Sequence, residues 1–266
     1  MAMRLLGVVG LVSLDRVDGG IPRLGGAPFH AARALRVLGH PALLATKIAP
    51  EDSGRGLHAL GFPVYSHPAA RTIAFRIEND GDHRAMEIDE LGDPWTPDDV
   101  RGWLDAPLAQ ADWVHAGPLT RADFPAETLA LIKRGRVLSF DGQGLVRRGE
   151  PGPLQLDAEY DPEVLRHVDI LKLSEEELET LGLEVTASSL AALGVSEVVV
   201  TLGSRGSVIY TGRKVEEVRT RPVEAPDPTG SGDAFMAAYL TYRRLRHTPR
   251  SAARLAGDLV RSLIGR

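Results

Sequence analysis

Asp227-Pro228-Thr229-Gly230-Ser231-Gly232-Asp233-Ala234-Phe235 places two glycines and a serine in front of a helical pattern, in which Phe235, Tyr239, Tyr242 and Leu245 share one stripe. Such small residues allow a tight turn whose N–H groups converge on one point. A glycine-rich turn that opens a helix makes an anion site, because unpaired N–H groups and the positive end of the dipole face the ligand. Gly230, Ser231 and Gly232 would form that anion hole, and Asp233 stands beside it in the first turn. The dipole is expected to hold Asp233 ionised, ready to take a proton from a hydroxyl. A base for a nucleophile next to donors for a charged transferring group is the pairing that phosphoryl transfer needs. Gly232 is where backbone would approach phosphate, and a positive φ is expected there. A lone G-x-G-D string is more often a plain turn capped by aspartate, so the rest of the chain has to decide.

Upstream, strand-like and helix-like segments alternate. Leu5–Leu11 reads as a buried first strand, Ala27–Leu38 as a helix closed by Gly39, Leu43–Ile48 as a strand and Asp52–Leu60 as a short helix. Val114–Ala116, Val137–Phe140, Ile170–Leu173 and Val198–Leu202 are short apolar strands, interleaved with helices at Glu127–Lys133, Pro162–His167, Glu175–Leu181 and Ser188–Leu193. Alternation of this kind implies an α/β fold with a mostly parallel central sheet flanked by helices, here in one domain spanning residues 1–266. Thr72–Glu78 and Arg84–Ile88 break the rhythm around Asn79-Asp80-Gly81-Asp82, a turn whose Asn and Gly accept positive φ. The hairpin and the early segment that leaves the sheet are expected to form a small β lid from residues 14–24 and 71–90.

Composition narrows the function. A net charge of −5 gives no general attraction to nucleic acid or anionic membrane. Absence of cysteine rules out disulfides and thiolate metal sites. Arg4 before the first apolar run is a thin positive region with no small-residue cleavage site after it, and no apolar stretch approaches the ~20 residues of a membrane span. A soluble, cytoplasmic protein is expected. There is no G-x-x-x-x-G-K-[ST], and no G-x-G-x-x-G follows the first strand, so P-loop and dinucleotide-binding folds are disfavoured. No two His are spaced i, i+3 or i+4, which leaves a helix-borne zinc pair unsupported. The basic tail from Arg243 to Arg266 reads as a solvated helix face.

The whole pattern resembles the ribokinase (PfkB-type) carbohydrate kinase family, along nearly the entire chain. Asp227–Asp233 is similar to that family's D-T-x-G-A-G-D signature, with Pro228 and Ser231 as departures. Gly25-Gly26-Ala27-Pro28-Phe29-His30-Ala31 resembles its Gly-Gly-x-x-x-Asn-x-Ala element, and Gly10 and Asp15 match the strand end where an aspartate binds substrate hydroxyls. Thr201-Leu202-Gly203-Ser204-Arg205-Gly206 matches the nucleotide-holding strand and loop, and Lys172–Glu177 resembles an Asn-x-x-Glu stretch near magnesium and phosphate.

The resemblance implies a ribokinase-like fold and an ATP-dependent kinase acting on a hydroxyl of a small sugar or polyol, with Asp233 as base. It implies substrate contacts from Asp15, Gly25, Gly26 and His30, and nucleotide contacts from Lys172, Thr201, Gly203 and Gly206. Mg²⁺ would lie near Glu177, and a monovalent cation such as K⁺ near Asp227 and Thr229. Lids in this family can pair between subunits, so a homodimer is implied as well. Two positions depart from the pattern: His30 and Ser174 stand where Asn is usual, in a chain whose one Asn is Asn79. Only 33 residues follow Asp233, fewer than the resemblance implies, so a reduced C-terminal wall on the adenine side is expected.

Each carrier also has a plainer reading. Asp15 could cap a loop, Glu177 could belong to an exposed acidic helix start beside Glu175, Glu176 and Glu179, and Asp141 could serve only its turn. Trp95, Trp103 and Trp113 are expected to pack and not to stack on a ligand. Two further functions stay open at this level: a nucleoside kinase of the same fold, and a catalytically weak sugar or nucleotide sensor.

Overall fold

The structure, a computed structural model, describes residues 4–80, 83–212, 214–221 and 229–264. Its strands in chain order are β1 (Leu5–Gly10), β2 (Ser13–Val17), β3 (Arg23–Gly25), β4 (Ala42–Ile48), β5 (Val64–Pro68), β6 (Ile73–Asp80) and β7 (His83–Glu90). There follow β8 (Ala111–Gly117), β9 (Val137–Asp141), β10 (Gly152–Pro153), β11 (Ile170–Ser174), β12 (Glu197–Thr201), β13 (Gly206–Thr211) and β14 (Lys214–Arg219). Nine of them form one sheet in the order β14-β13-β12-β11-β9-β8-β1-β4-β5, parallel from β12 to β5 and antiparallel at the β13–β14 edge.

Central strands are mostly apolar because both faces are covered, and successive side chains point to opposite layers. Leu6, Val8, Ile170 and Val199 pack under the helices Ala27–Leu38, Ser231–Arg244 and Pro249–Ile264. Val9, Val114, Leu171 and Val198 face the other way, into the core that holds Leu129 and Ile132 of helix Ala126–Lys133 and Leu178 of helix Glu175–Thr180. The chain is thus a three-layer α/β fold. The short helix expected over Asp52–Leu60 is instead two 3₁₀ turns, Pro50–Asp52 and Leu57–Leu60, separated by Gly54 and Gly56. No helix among the described residues is long and apolar enough to cross a membrane.

The second sheet has the order β10-β7-β6-β2-β3, with β2 parallel to β6 and the other pairs antiparallel. Strand β6 alternates cleanly: Ile73, Phe75 and Ile77 are buried, while Arg76 faces solvent and pairs with Glu87 and Asp89 across β7. Phe75, Ile77 and Ile88 are each 3% exposed or less and belong to the main core. The segment is therefore wedded to the fold, and the turn residues Gly81 and Asp82 lie outside the described residues.

One close approach positions the site. Gly10 and Gly117 pair at the C-terminal ends of β1 and β8, and a Cβ on Gly10 would stand 2.6 Å from the Gly117 carbonyl oxygen. A Cβ on Gly117 would overlap Ala27. Two bare glycines let the N-terminus of helix Ala27–Leu38 settle over the strand ends, where open parallel sheets gather their ligands.

Candidate active site

Gly230 caps the helix Ser231–Arg244 at φ +73°, and Asp233 sits in the first helical turn. The positive φ expected at Gly232 falls on Gly230 instead. A side chain at Gly230 would also overlap the His30 ring, whereas a Cβ on Gly232 would meet only Lys172, Nζ at 3.5 Å. The turn is thus wedged between His30 on one side and Lys172 on the other.

Two cavities open on either side of it. One, of about 100 Å³, takes polar groups from Asp15, His30, Gln143, Arg147 and Asp233, with Gly26, Thr229 and Gly230 completing that wall. Its remaining wall is apolar and comes largely from the second sheet: Phe75, Ile77 and Met86, with Leu119. The other cavity, of about 300 Å³, is bounded by Thr201, Gly203 and Gly206, by Ser231 and Gly232, and by an apolar floor of Phe235, Val260 and Ile264. Arg221 and Arg261 stand at its rim. A larger groove elsewhere, about 660 Å³ between Arg33, Arg36 and Arg55, touches neither the glycine turn nor any of these carboxylates.

Gly25 lies outside both cavities, and its bare Cα makes room for the Asp15 carboxylate, which a Cβ would strike. Lys172 also lines neither. It is buried at the end of β11, with Nζ 3.3 Å from Asp141 Oδ1 and 3.6 Å from Glu177 Oε2. Glu177 is only 5% exposed, which removes the solvated-face reading. Its Oε2 accepts the Ser174 N–H at 2.8 Å while Ser174 Oγ accepts the Glu177 N–H at 3.2 Å, a reciprocal capping box. Ser174 therefore has a structural reason to be serine. Asp141 does serve its turn, since Oδ1 accepts the Gln143 N–H at 3.1 Å, but Oδ2 has no partner among the described residues. Asp227 lies outside the described residues. Trp95 is fully buried and stacks on Phe124, a packing role.

Electrostatics departs from the simple dipole expectation. Burial pushes the Asp233 carboxyl up to about 7, Asp141 adds to the rise, Lys172 and Arg147 oppose it, and Asp15 adds a little more. Desolvation outweighs the helix dipole because the carboxylate has left water almost completely. Burial also acts to lower Lys172, but Asp141, Glu177 and Asp233 more than offset that, and its ammonium is held firmly protonated. Burial, and then the nearby Lys172, take His115 down to about 3, so its imidazole is neutral. Glu177 is raised by burial against the pull of Lys172.

Gln143, Arg147 and His115 escaped the sequence reading. Gln143 and Arg147 leave β9 two and six residues after Asp141, so the strand end that carried Asp141 was the available signal. His115 lay inside an apolar strand and carried none.

The sequence profile described as pfkB family carbohydrate kinase matches residues 22–259. A fructokinase of Rhizobium leguminosarum bv. trifolii is 30% identical over 264 residues, covering 91% of this chain and 78% of its own length. A fructokinase of Klebsiella pneumoniae is 31% identical over 172 residues, 58% of this chain, and the match spans 53% of that relative. Among solved structures, a pyrophosphate-dependent kinase in the ribokinase family, complexed with a pyrophosphate analog and myo-inositol, superposes with a TM-score of 0.81. It shares 24% identity and covers 98% of this chain and 95% of its own, so the fold is ribokinase-like.

Proposed function

Because this chain belongs to the pfkB family of carbohydrate kinases, we propose that it transfers the terminal phosphoryl group of ATP to a hydroxyl of a small sugar or polyol, with Asp233 as general base. One observation carries the reading: Asp233 and the glycine turn form the partition between a small polar cavity and a larger one with an apolar floor. The acceptor fits the first, where Asp15 and Asp233 can accept hydroxyl protons and Arg147 can donate. The donor fits the second, with adenine over Phe235, Val260 and Ile264 and the phosphates against Gly203, Ser231 and Gly232. A carboxyl poised near pH 7 takes a proton from the attacking hydroxyl as the oxygen–phosphorus bond forms. Lys172, whose Nζ lies under Gly232, lends positive charge to the transferring group.

Mg²⁺ suits the same corner. Asp141, with an unpartnered buried oxygen, and Glu177 supply the hard oxygen donors such an ion takes beside donor phosphates, where it would neutralise their charge. Thr229, at the rim of the acceptor cavity, is our candidate with Asp227 for a monovalent cation. The small-sheet wall of Phe75, Ile77 and Met86 acts as a lid that keeps water from the phosphoryl group. The volume of about 100 Å³ favours a compact acceptor over a nucleoside.

The deciding experiment measures product formation on a panel of sugars, polyols and nucleosides, with ATP and pyrophosphate as alternative donors. Phosphorylated sugar or polyol from ATP supports the reading. Turnover with pyrophosphate alone would reassign the donor, and no turnover with any pair would leave a binding protein.

A further inference from the structure

We propose that His115, Asp141 and Asp233 bind a divalent transition-metal ion when no phosphoryl donor is present, and that the ion blocks turnover while it is there. The three residues come from β8, the end of β9 and the first turn of helix Ser231–Arg244. One donor atom from each lies within 4.8 Å of the other two; ligands with bonds of roughly 2.2 Å reach at most about 4.4 Å across one ion, so a side-chain shift of a few tenths of an ångström brings all three into reach. The residues are 0%, 1% and 9% exposed. His115 Nε2, Asp141 Oδ2 and Asp233 Oδ1 all lack a hydrogen-bond partner among the described residues. Buried polar atoms without partners are rare, and three in one place call for an occupant.

Water would satisfy their hydrogen bonds but not the charge. Asp141 and Asp15 press on Asp233, and Asp141 on Glu177, while Lys172 and Arg147 pull the other way, so the carboxylates around Asp141 and Asp233 still repel one another with an excess of negative charge. A cation relieves that excess. The donor set then selects the ion. His115 Nδ1 lies 3.2 Å from Ser139 Oγ, and when it donates its proton there, Nε2 presents a lone pair to the metal. One imidazole nitrogen with two carboxylate oxygens suits Zn²⁺, Co²⁺ or Mn²⁺ better than Mg²⁺, which prefers oxygen alone. Entry is through the acceptor cavity, which Asp233 lines. A metal bound to Asp233 occupies the lone pair that would accept the hydroxyl proton. That blocking consequence rests on Asp233 being the base; the binding does not.

Co²⁺ is the probe, added to the enzyme without donor or acceptor. A saturable ligand-field absorption with one ion per chain is expected, and Cu²⁺ in its place should show electron-spin coupling to one imidazole nitrogen. His115→Phe should weaken Co²⁺ binding by tenfold or more. No saturable band at millimolar Co²⁺, or equal affinity in a folded His115→Phe, means that water fills the site and overturns the proposal. If that variant does not fold, the wild-type nitrogen coupling decides, and its absence overturns the proposal equally. Co²⁺ that binds through nitrogen yet leaves phosphoryl transfer untouched would overturn the blocking role, whereas the base assignment stands or falls separately with Asp233→Asn.

Discussion

The two cavities on either side of the glycine turn are built from different materials. On the donor side the walls come from compact stretches, residues 201–206, 220–221, 231–235 and 257–264, and Gly203, Gly206, Gly232 and Gly257 give part of it bare backbone. Polar groups on the acceptor side are long side chains drawn from positions as far apart as Asp15, His30, Gln143, Arg147 and Asp233. Phosphate is the same in every donor, so backbone N–H groups at a helix start can recognise it. An acceptor hydroxyl pattern is particular, and reading it takes side chains that other elements hold in place. Substitutions should therefore act sterically on one side and electrostatically on the other.

The sharpest test falls on the partition itself. Asp233→Asn should lower turnover by roughly 10²–10⁴-fold while ATP affinity stays the same or rises slightly. Retention of half the wild-type turnover would move the base elsewhere. Stability should change in the opposite direction. A carboxyl raised from 3.8 to about 7 holds more protons folded than unfolded, so it destabilises the fold as pH rises through that window. Asp233→Asn should accordingly melt higher than wild type at pH 8 and nearly equally at pH 4.

Gly230→Val tests the turn that separates the two cavities. A β-branched residue at φ +73° is strained, and its side chain would drive into His30, so about 1–3 kcal/mol of stability and most of the activity should be lost. Gly232→Val, which meets only the flexible end of Lys172, should fold normally and lose activity alone. Equal melting temperatures for the two variants would contradict the geometry of the turn.

The acid limb of kcat/KM should bend near pH 7, with activity falling as Asp233 takes up a proton below it. Arg147→Gln removes a charge that lowers that value, so the bend should move to higher pH, a shift that a purely structural Arg147 would not produce.

Met86→Ala should open the lid wall without touching the deep core. Acceptor kcat/KM should fall by roughly tenfold and the share of ATP hydrolysed without product should rise. Deleting Thr72–Ile88 altogether is the poorer experiment, because Phe75, Ile77 and Ile88 would leave the core with it. The smallest effect is expected for His30→Asn, about 2–10-fold in acceptor KM with little change in turnover, as one hydrogen bond is exchanged for a shorter one. No change at all would make His30 a packing residue against Gly230.

Much of this was legible in the residues. The central strands announced themselves because both faces of a parallel sheet are buried and each strand reads as a nearly continuous apolar run. Glycines at 230 and 232 with Asp233 after them marked a helix start where an anion can sit, and Ala27–Leu38 matched its helix with Gly39 in the left-handed cap. Those are local facts, set by backbone sterics and hydrogen bonding within a few residues.

What local sequence could not decide was whatever depended on burial and on partners distant along the chain. The Asp233 carboxyl rises because elements from β1 to the C-terminal helices exclude water around it, which no reading of its own helix reveals. Glu177 looked like one of several surface acids until folding turned it inward, where it caps Ser174 and faces Lys172. His115 became part of the site only because β8 runs beside β9, which brings its ring beside Ser139 and close to Asp141. Sequence sets the local backbone; the dielectric around a charge, and the company it keeps, belong to the fold.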